Sequence, residues 1–94
     1  MPTKSRIDNE KRCFVCHCTH GLERHHIFNG SGMRSKSEAD GLWIWLCEEH
    51  HRAVTECFPI RRKLKEMGQR VYEEQIGTRQ EFRQRYGKYY IQDE

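Results

Sequence analysis

The stretch Glu23-Arg24-His25-His26-Ile27-Phe28, followed after a polar insert by Gly41-Leu42-Trp43-Ile44-Trp45-Leu46-Cys47-Glu48-Glu49-His50-His51, decides how this chain is read. Paired histidines stand at its head and a Cys-x-x-His-His knuckle at its foot. Between them Asn29-Gly30-Ser31-Gly32-Met33-Arg34-Ser35-Lys36-Ser37 is polar and glycine-rich, which predicts a loop rather than core. Upstream, Cys13-Phe14-Val15-Cys16 repeats the spacing of Cys47-Glu48-Glu49-His50.

Working outward, Leu22 to Phe28 and Leu42 to Leu46 read as strands. In the second, Leu42, Ile44 and Leu46 alternate with Trp43 and Trp45, so both faces are apolar, as in a short strand covered on both sides. The two tryptophans are read as core rather than as base-stacking groups. Pairing of the strands gives a hairpin with a long basic loop at its tip. A helix starts at Glu48 and runs to Val54 or beyond, with Glu48 and Glu49 at the positive end of its dipole. Thr55 to Pro59 interrupts it. Ile60, Leu64, Met67 and Val71, spaced four, three and four apart, then make one apolar stripe of a second helix that Gly77 closes. Thr78-Arg79-Gln80-Glu81 is a capping box that opens a short third helix carrying Phe82 and Tyr86 inward. Gly87 ends that helix, and Tyr89, Tyr90 and Ile91 are expected to fold back onto the core.

Composition restricts what such a chain can be. At 94 residues, with 35% hydrophobic and 33% charged, it buries only roughly two-thirds of its unfolded surface, and a core that small needs a disulfide or metal staple. Five cysteines are a poor disulfide framework, and Met1 to Arg12 is polar throughout, with no secretory leader in view. No apolar run is long enough to span a bilayer. The expected setting is the reducing cytoplasm, with a metal as the staple and no membrane partner. The net charge of +3 is mild, but it is clustered. Lys4, Arg6, Lys11 and Arg12 precede the first knuckle, Arg34 and Lys36 lie in the central loop, and Arg61, Arg62, Lys63 and Lys65 follow Pro59. That distribution suits a nucleic-acid partner met through phosphate contacts from Arg34, Lys36, Arg61, Arg62 and Lys63.

Zinc takes four nitrogen or sulfur ligands in a tetrahedron, and Cys13, Cys16, Cys47 and His50 supply three thiolates and an imidazole on two matched knuckles. Cys18 is read as a bystander and Cys57 is given no role. The expected fold is therefore α+β: a small zinc-braced β-hairpin plus helix, of ββα-metal or treble-clef-like form, with a C-terminal helical extension. Residues 1–11 are expected to form a flexible basic arm, 12–58 the zinc-braced core, and 59–94 helices packed on that core.

Six histidines are many for so small a chain. His51 follows His50 on a helix and projects about 100° away from it, so it cannot easily share the same metal and should point toward the hairpin. With His25 and His26 it forms a converging set that suggests a site. Adjacent residues on a regular strand face opposite ways, so His25 and His26 share that site only where the strand ends or bulges, which Asn29-Gly30 permits.

At these residues the sequence resembles the HNH, or His-Me finger, nucleases. Their core is a β-hairpin followed by a helix, often braced by zinc between two such knuckles. The matching segments are His25-His26-Ile27 and Leu46-Cys47-Glu48-Glu49-His50-His51. The resemblance implies that His26 is the general base that activates water, and that His25 and His51 hold one catalytic divalent cation against the scissile phosphate. It also implies a DNA substrate, with a 3′ hydroxyl left behind. Magnesium prefers oxygen ligands, so two imidazoles should accept manganese, nickel, cobalt or zinc at least as well as magnesium. The longer string from His25 through Ser37-Glu38 to His51, and the ending Arg79-Gln80-Glu81-Phe82 with Tyr86-Gly87-Lys88-Tyr89-Tyr90, look like a bacteriophage subgroup of recombination-enhancement nucleases. That likeness implies a host recombinase or defence protein as a partner. The family's asparagine, which orients the general base, is missing here. Gly41 and Leu42 stand near its place, leaving Asp40 or a backbone carbonyl as candidates for the task. The competing class is a non-catalytic zinc module of the same fold that binds DNA or inhibits a host protein complex.

Overall fold

The computed structural model describes residues 4–8, 10–30 and 32–91. Strand β1, Leu22–His26, pairs antiparallel with β2, Trp43–Cys47, in an unbroken register from Leu22 opposite Cys47 to His26 opposite Trp43. Helix α1, Met33–Ala39, sits between the strands, and α2, Glu48–Glu56, follows β2 without a linker. After Cys57 the chain turns into α3, Phe58–Gln75, and then α4, Arg79–Tyr86. Among the described residues the chain is thus a small α+β fold of one hairpin and four helices.

The sequence places a loop where α1 stands, and the reason for the difference is instructive. Gly32 precedes α1 at φ 78°, a left-handed conformation that costs a glycine little and turns the chain into the helix. All six α1 residues after Met33 are polar or alanine, so no apolar stripe advertises the helix. Hydrogen bonds hold it instead. Ser37 is completely buried, accepts from the Phe28 amide and donates to the Leu42 carbonyl, which bolts α1 across the base of the hairpin. Asp40 accepts from Arg85 Nε and from the Tyr86 hydroxyl, each at 2.6 Å, and Lys36 Nζ donates to the Arg85 carbonyl at 2.9 Å.

Beyond His26 the chain leaves the strand and drives Ile27 and Phe28 into the core. The Phe28 ring lies 4.4 Å from Tyr86, 5.3 Å from Phe82 and 5.4 Å from Tyr90, centroid to centroid. Leu42, Ile44 and Leu46 supply the floor, and Trp43 is buried too, while Val54, Leu64 and Tyr72 close it from α2 and α3. Of the stripe that hydropathy suggests for α3, Leu64 is buried and Met67 and Val71 pack against the core. Ile60 is exposed, and the buried line runs Leu64, Gly68 and Tyr72, flanked by a wholly buried Gln69. Gln69 Oε1 accepts from the backbone amides of Tyr90 and Ile91, which ties the tail over the aromatic cluster. The Thr78–Glu81 capping box forms in both directions, and Gly87 ends α4 in the left-handed region at φ 90°.

Residues 4–8, expected within a flexible arm, are pinned to the sheet. Ser5 is buried and donates to the Trp43 carbonyl, while the Arg6 amide donates to the Gly41 carbonyl at 2.8 Å. Residues 1–3 and 9 of that expected arm lie outside the described residues. Among the described residues no helix is long and apolar enough to cross a membrane.

Gly68 gives a direct test of this packing. A Cβ there would stand 2.9 Å from Ile27 Cγ2 and 3.0 Å from Phe28 Cε2, both deep in the core. Gly→Ala inside a helix ordinarily gains about 1 kcal/mol, but overpacking costs about 1–3 kcal/mol. Gly68→Ala should therefore lower the melting temperature by several degrees, and a rise would show that α3 stands off from Phe28.

Candidate functional site

Two tight turns gather the four knuckle residues. The Cys13 amide donates to the Cys18 carbonyl and the His17 amide to the Cys13 carbonyl, each at 2.8 Å, so Cys13 and Cys16 project from one small loop. The Phe14 amide bonds the Trp45 carbonyl and fixes that loop to β2. At the other knuckle β2 ends on Cys47, the N-cap of α2, so His50 lies within the first turn and faces back along it. The donor atoms of Cys13, Cys16, Cys47 and His50 all lie within 4.8 Å of one another. Cys16 Sγ is 3.9 Å from Cys47 Sγ, and His50 Nδ1 is 3.6 Å from Cys13 Sγ and 3.2 Å from Cys47 Sγ. A zinc tetrahedron with Zn–S about 2.3 Å and Zn–N about 2.0 Å has edges of roughly 3.5–3.8 Å, so these residues can hold a metal such as zinc.

The electrostatics fit as well. Burial pushes the Cys13 thiol up, but backbone N–H groups of Cys16, Cys47 and Val15 outweigh it and bring the thiol down to about 6. For Cys16 and Cys47 a backbone N–H, of Cys18 and His50 respectively, favours each thiolate. Burial and the adjoining thiols outweigh that help and raise both. Several thiols competing for negative charge is a situation that a dication relieves. Cys18, half-buried, directs its thiol to the His20 carbonyl at 3.7 Å.

Three of the other histidines, His25, His26 and His51, gather around a separate cleft. His25 is buried opposite Ile44, and its ring meets that of His51 edge to face with centroids 5.3 Å apart. Glu23 Oε1 lies 2.7 Å from His51 Nδ1, which fixes the proton there and leaves the Nε2 lone pair free. Burial, then the charges of His51, His26, Arg61 and Lys65, bring His25 down to about 4, so its imidazole is neutral at neutral pH. A neutral imidazole is the form that ligates a metal.

His26 leaves β1 on the opposite face, and β1 ends there without a bulge. Its Nε2 lies 3.0 Å from Glu38 Oε1, and the other Glu38 oxygen accepts from Arg24 Nη1 at 2.7 Å. Burial pushes the Glu38 carboxyl up, but the hydrogen bonds from His26 and Arg24 and the Arg24 charge hold it below the usual range. The Arg24 guanidinium in turn lies 4.2 Å from the Trp43 ring centroid. With Nε2–H given to Glu38, the lone pair of His26 is on Nδ1, where Arg34 Nε donates at 3.4 Å. His25, His26 and His51 all line one cleft of about 260 Å³, together with Arg24, Asn29, Arg34 and Thr55.

Glu38 is the neighbour of His26 that sequence reasoning missed, because only α1 carries it there. Asp40, a candidate for that task, is held instead by Arg85 and Tyr86. Of the five cations expected on phosphate, Arg34 borders the cleft. Lys36 instead binds the Arg85 carbonyl, and Arg62 the Tyr90 carbonyl, so both link helices to their neighbours. Arg61 is half-buried near the Phe58 ring and Lys63 is exposed. Compared with models of protein families, with curated proteins and with solved structures, the chain gives no significant match.

Two measurements test this geometry. Metal analysis of the purified protein should find one zinc, and Cys47→Ser should lose both the zinc and the cooperative melt. A full melting transition in that variant would remove the metal brace. The second measurement concerns His25. An unfolded imidazole takes its proton near pH 6.5, whereas folded His25 resists until about 4. The unfolded chain therefore binds more protons within that window, and stability falls as pH drops through it. His25→Gln should show a shallower fall in urea midpoint from pH 6.5 to 4 than the parent. Equal slopes would mean that His25 is not held neutral.

Proposed function

We propose that the protein is a metal-dependent DNA endonuclease of the HNH, or His-Me finger, type, built on a zinc-braced ββα core. One observation carries this reading: His25, His26 and His51 line a single cleft, with Glu23 holding one nitrogen of His51 and Glu38 one nitrogen of His26. In this reading His26 Nδ1 takes a proton from water as the water attacks phosphorus. The imidazolium that forms keeps its Nε2–H on Glu38, whose negative charge stabilises it. Arg24 holds the Glu38 carboxylate in place, so the base is oriented through two linked bonds. Arg34 reaches Nδ1 from the solvent side, and an incoming phosphate is a stronger partner for its guanidinium than a neutral imidazole is. Substrate thus draws Arg34 away and frees the lone pair.

His25 and the Nε2 of His51 would hold one divalent cation, which when bound supplies positive charge to the phosphate and the leaving oxygen. Two neutral imidazoles suit manganese, cobalt, nickel or zinc, and the remaining positions would be left to water and phosphate. The cleft has a mouth open to solvent and is bordered by Arg24 and Arg34, which complement a polyanion.

Plasmid nicking is the direct assay. The parent should nick supercoiled DNA with manganese or magnesium, and His26→Ala should abolish nicking while retaining its zinc and melt. Glu38→Ala should lower kcat by about ten- to a hundred-fold with KM little changed, and Glu38→Gln, which keeps an acceptor oxygen, should recover part of the loss. If His26→Ala cuts as well as the parent, the base is misassigned. Binding without cutting in every divalent metal would favour the non-catalytic DNA-binding module.

A further inference from the structure

Phe58, Pro59 and Ile60 form an exposed apolar step at the start of α3. Phe58 is 66% exposed and Ile60 44%, although the chain has few apolar residues to spare. The step stands beside the histidine cleft. Thr55, three residues before Phe58, lines that cleft, and Arg61, three residues after it, is close enough for its charge to act on His25. The Arg61 guanidinium lies 5.9 Å from the Phe58 ring centroid, its Nε is buried without a partner, and Lys63 is exposed in the same turn.

We propose that Phe58 stacks on a nucleobase beside the scissile phosphate, with Ile60 next to it, so that the preferred substrate is DNA with a base step that is unpaired or easily opened. This rests on the nuclease reading and names its substrate class. A flat apolar ring framed by cations matches the alternation of base face and phosphate along a strand, as in stacking platforms and intercalating wedges. A second copy of the chain would bring Arg61 and Lys63 against their own counterparts, which charge repulsion opposes. Pyrimidine–purine steps open most easily in duplex DNA, so they should be the favoured paired sites.

The test uses the full chain in a His26→Ala background, so that binding is read without cutting, on DNA carrying 2-aminopurine at an unpaired position or at a paired pyrimidine–purine step. Phe58→Ala should weaken binding to the unpaired DNA about ten-fold, the scale of one base stacked on an aromatic ring, and should abolish the fluorescence change. Phe58→Trp should restore both. Because Phe58 is exposed, the melting temperature should stay unchanged in either variant. A larger effect on the unpaired than on the paired DNA supports an opened base, and the reverse order overturns that preference. Equal affinity and an equal fluorescence response in Phe58→Ala would sink the stacking role. So would Phe58→Ala failing only in self-association, which would give the step to a second copy. The nuclease reading fails separately, when the protein with His26 intact cuts nothing in any divalent metal.

Discussion

Three thiols and an imidazole drawn within 4.8 Å of one another are held there only in part by apolar packing. Cys13 is buried in the core and Cys47 packs at its edge, but Cys16 is exposed, so contacts with the core contribute little to its placement. A dication bound there would contribute on the order of 10–16 kcal/mol, comparable to the whole stability of a small domain. Its mechanical effect reaches further. It would fasten the loop of Cys13 and Cys16 to the joint between β2 and α2, and so set the rotation of α2 about its axis. Since His50 must face the cluster, the next residue is turned about 100° away, toward the hairpin. That rotation delivers His51 to Glu23 and to the edge of the His25 ring.

The hairpin makes the complementary contribution. Alternation along β1 sends Glu23 and His25 to the side of α2, and Arg24 and His26 to the side of α1. On one side a carboxylate two residues away along the strand meets the imidazole of another element. On the other, a carboxylate from α1 meets the strand's own imidazole, with Arg24 supporting it. The rings still open on one cleft because β1 stops at His26, beyond which Ile27 and Phe28 turn into the core. Burial of those two side chains is thus what ends the strand where two neighbouring histidines can share a space.

The sequence shows some of this plainly and hides the rest for physical reasons. Alternating apolar residues give β2 to within a residue, and the Thr78–Glu81 box fixes the start of α4, since both signals are local. The knuckle spacing names Cys13, Cys16, Cys47 and His50, which the fold gathers. Helix α1 is hidden because Ser37 is buried by hydrogen bonds rather than by apolar character. Glu38 is hidden with it, being twelve residues from His26 in sequence. Hydropathy also chooses Ile60 over Gly68 for the buried line of α3. The close approach of Ile27 and Phe28 leaves room only for hydrogen at that position, and no apolar scale expresses that.

Helix α1 has seven residues, far too few to persist in water without tertiary support. Ser37 and Glu38 tie it to the hairpin, and α4 supplies the rest: Arg85 and Tyr86 grip Asp40, and the Arg85 carbonyl receives Lys36. Tyr86 and Phe82 are in turn locked against Phe28, and burial with Asp40 beside it pushes the Tyr86 hydroxyl pKa up, keeping it a donor. A chain of contacts therefore runs from the aromatic cluster through Asp40 to Glu38 and ends on His26. The C-terminal helices stand far from the cleft in sequence, yet they brace the helix that carries Glu38 to the residue proposed to activate water. A ββα core cut off before α3 would keep its knuckles, its three histidines and the Arg24 and Ser37 bonds, but it would lose the contacts from Arg85 and Tyr86 that brace the C-terminal end of α1 beside Glu38.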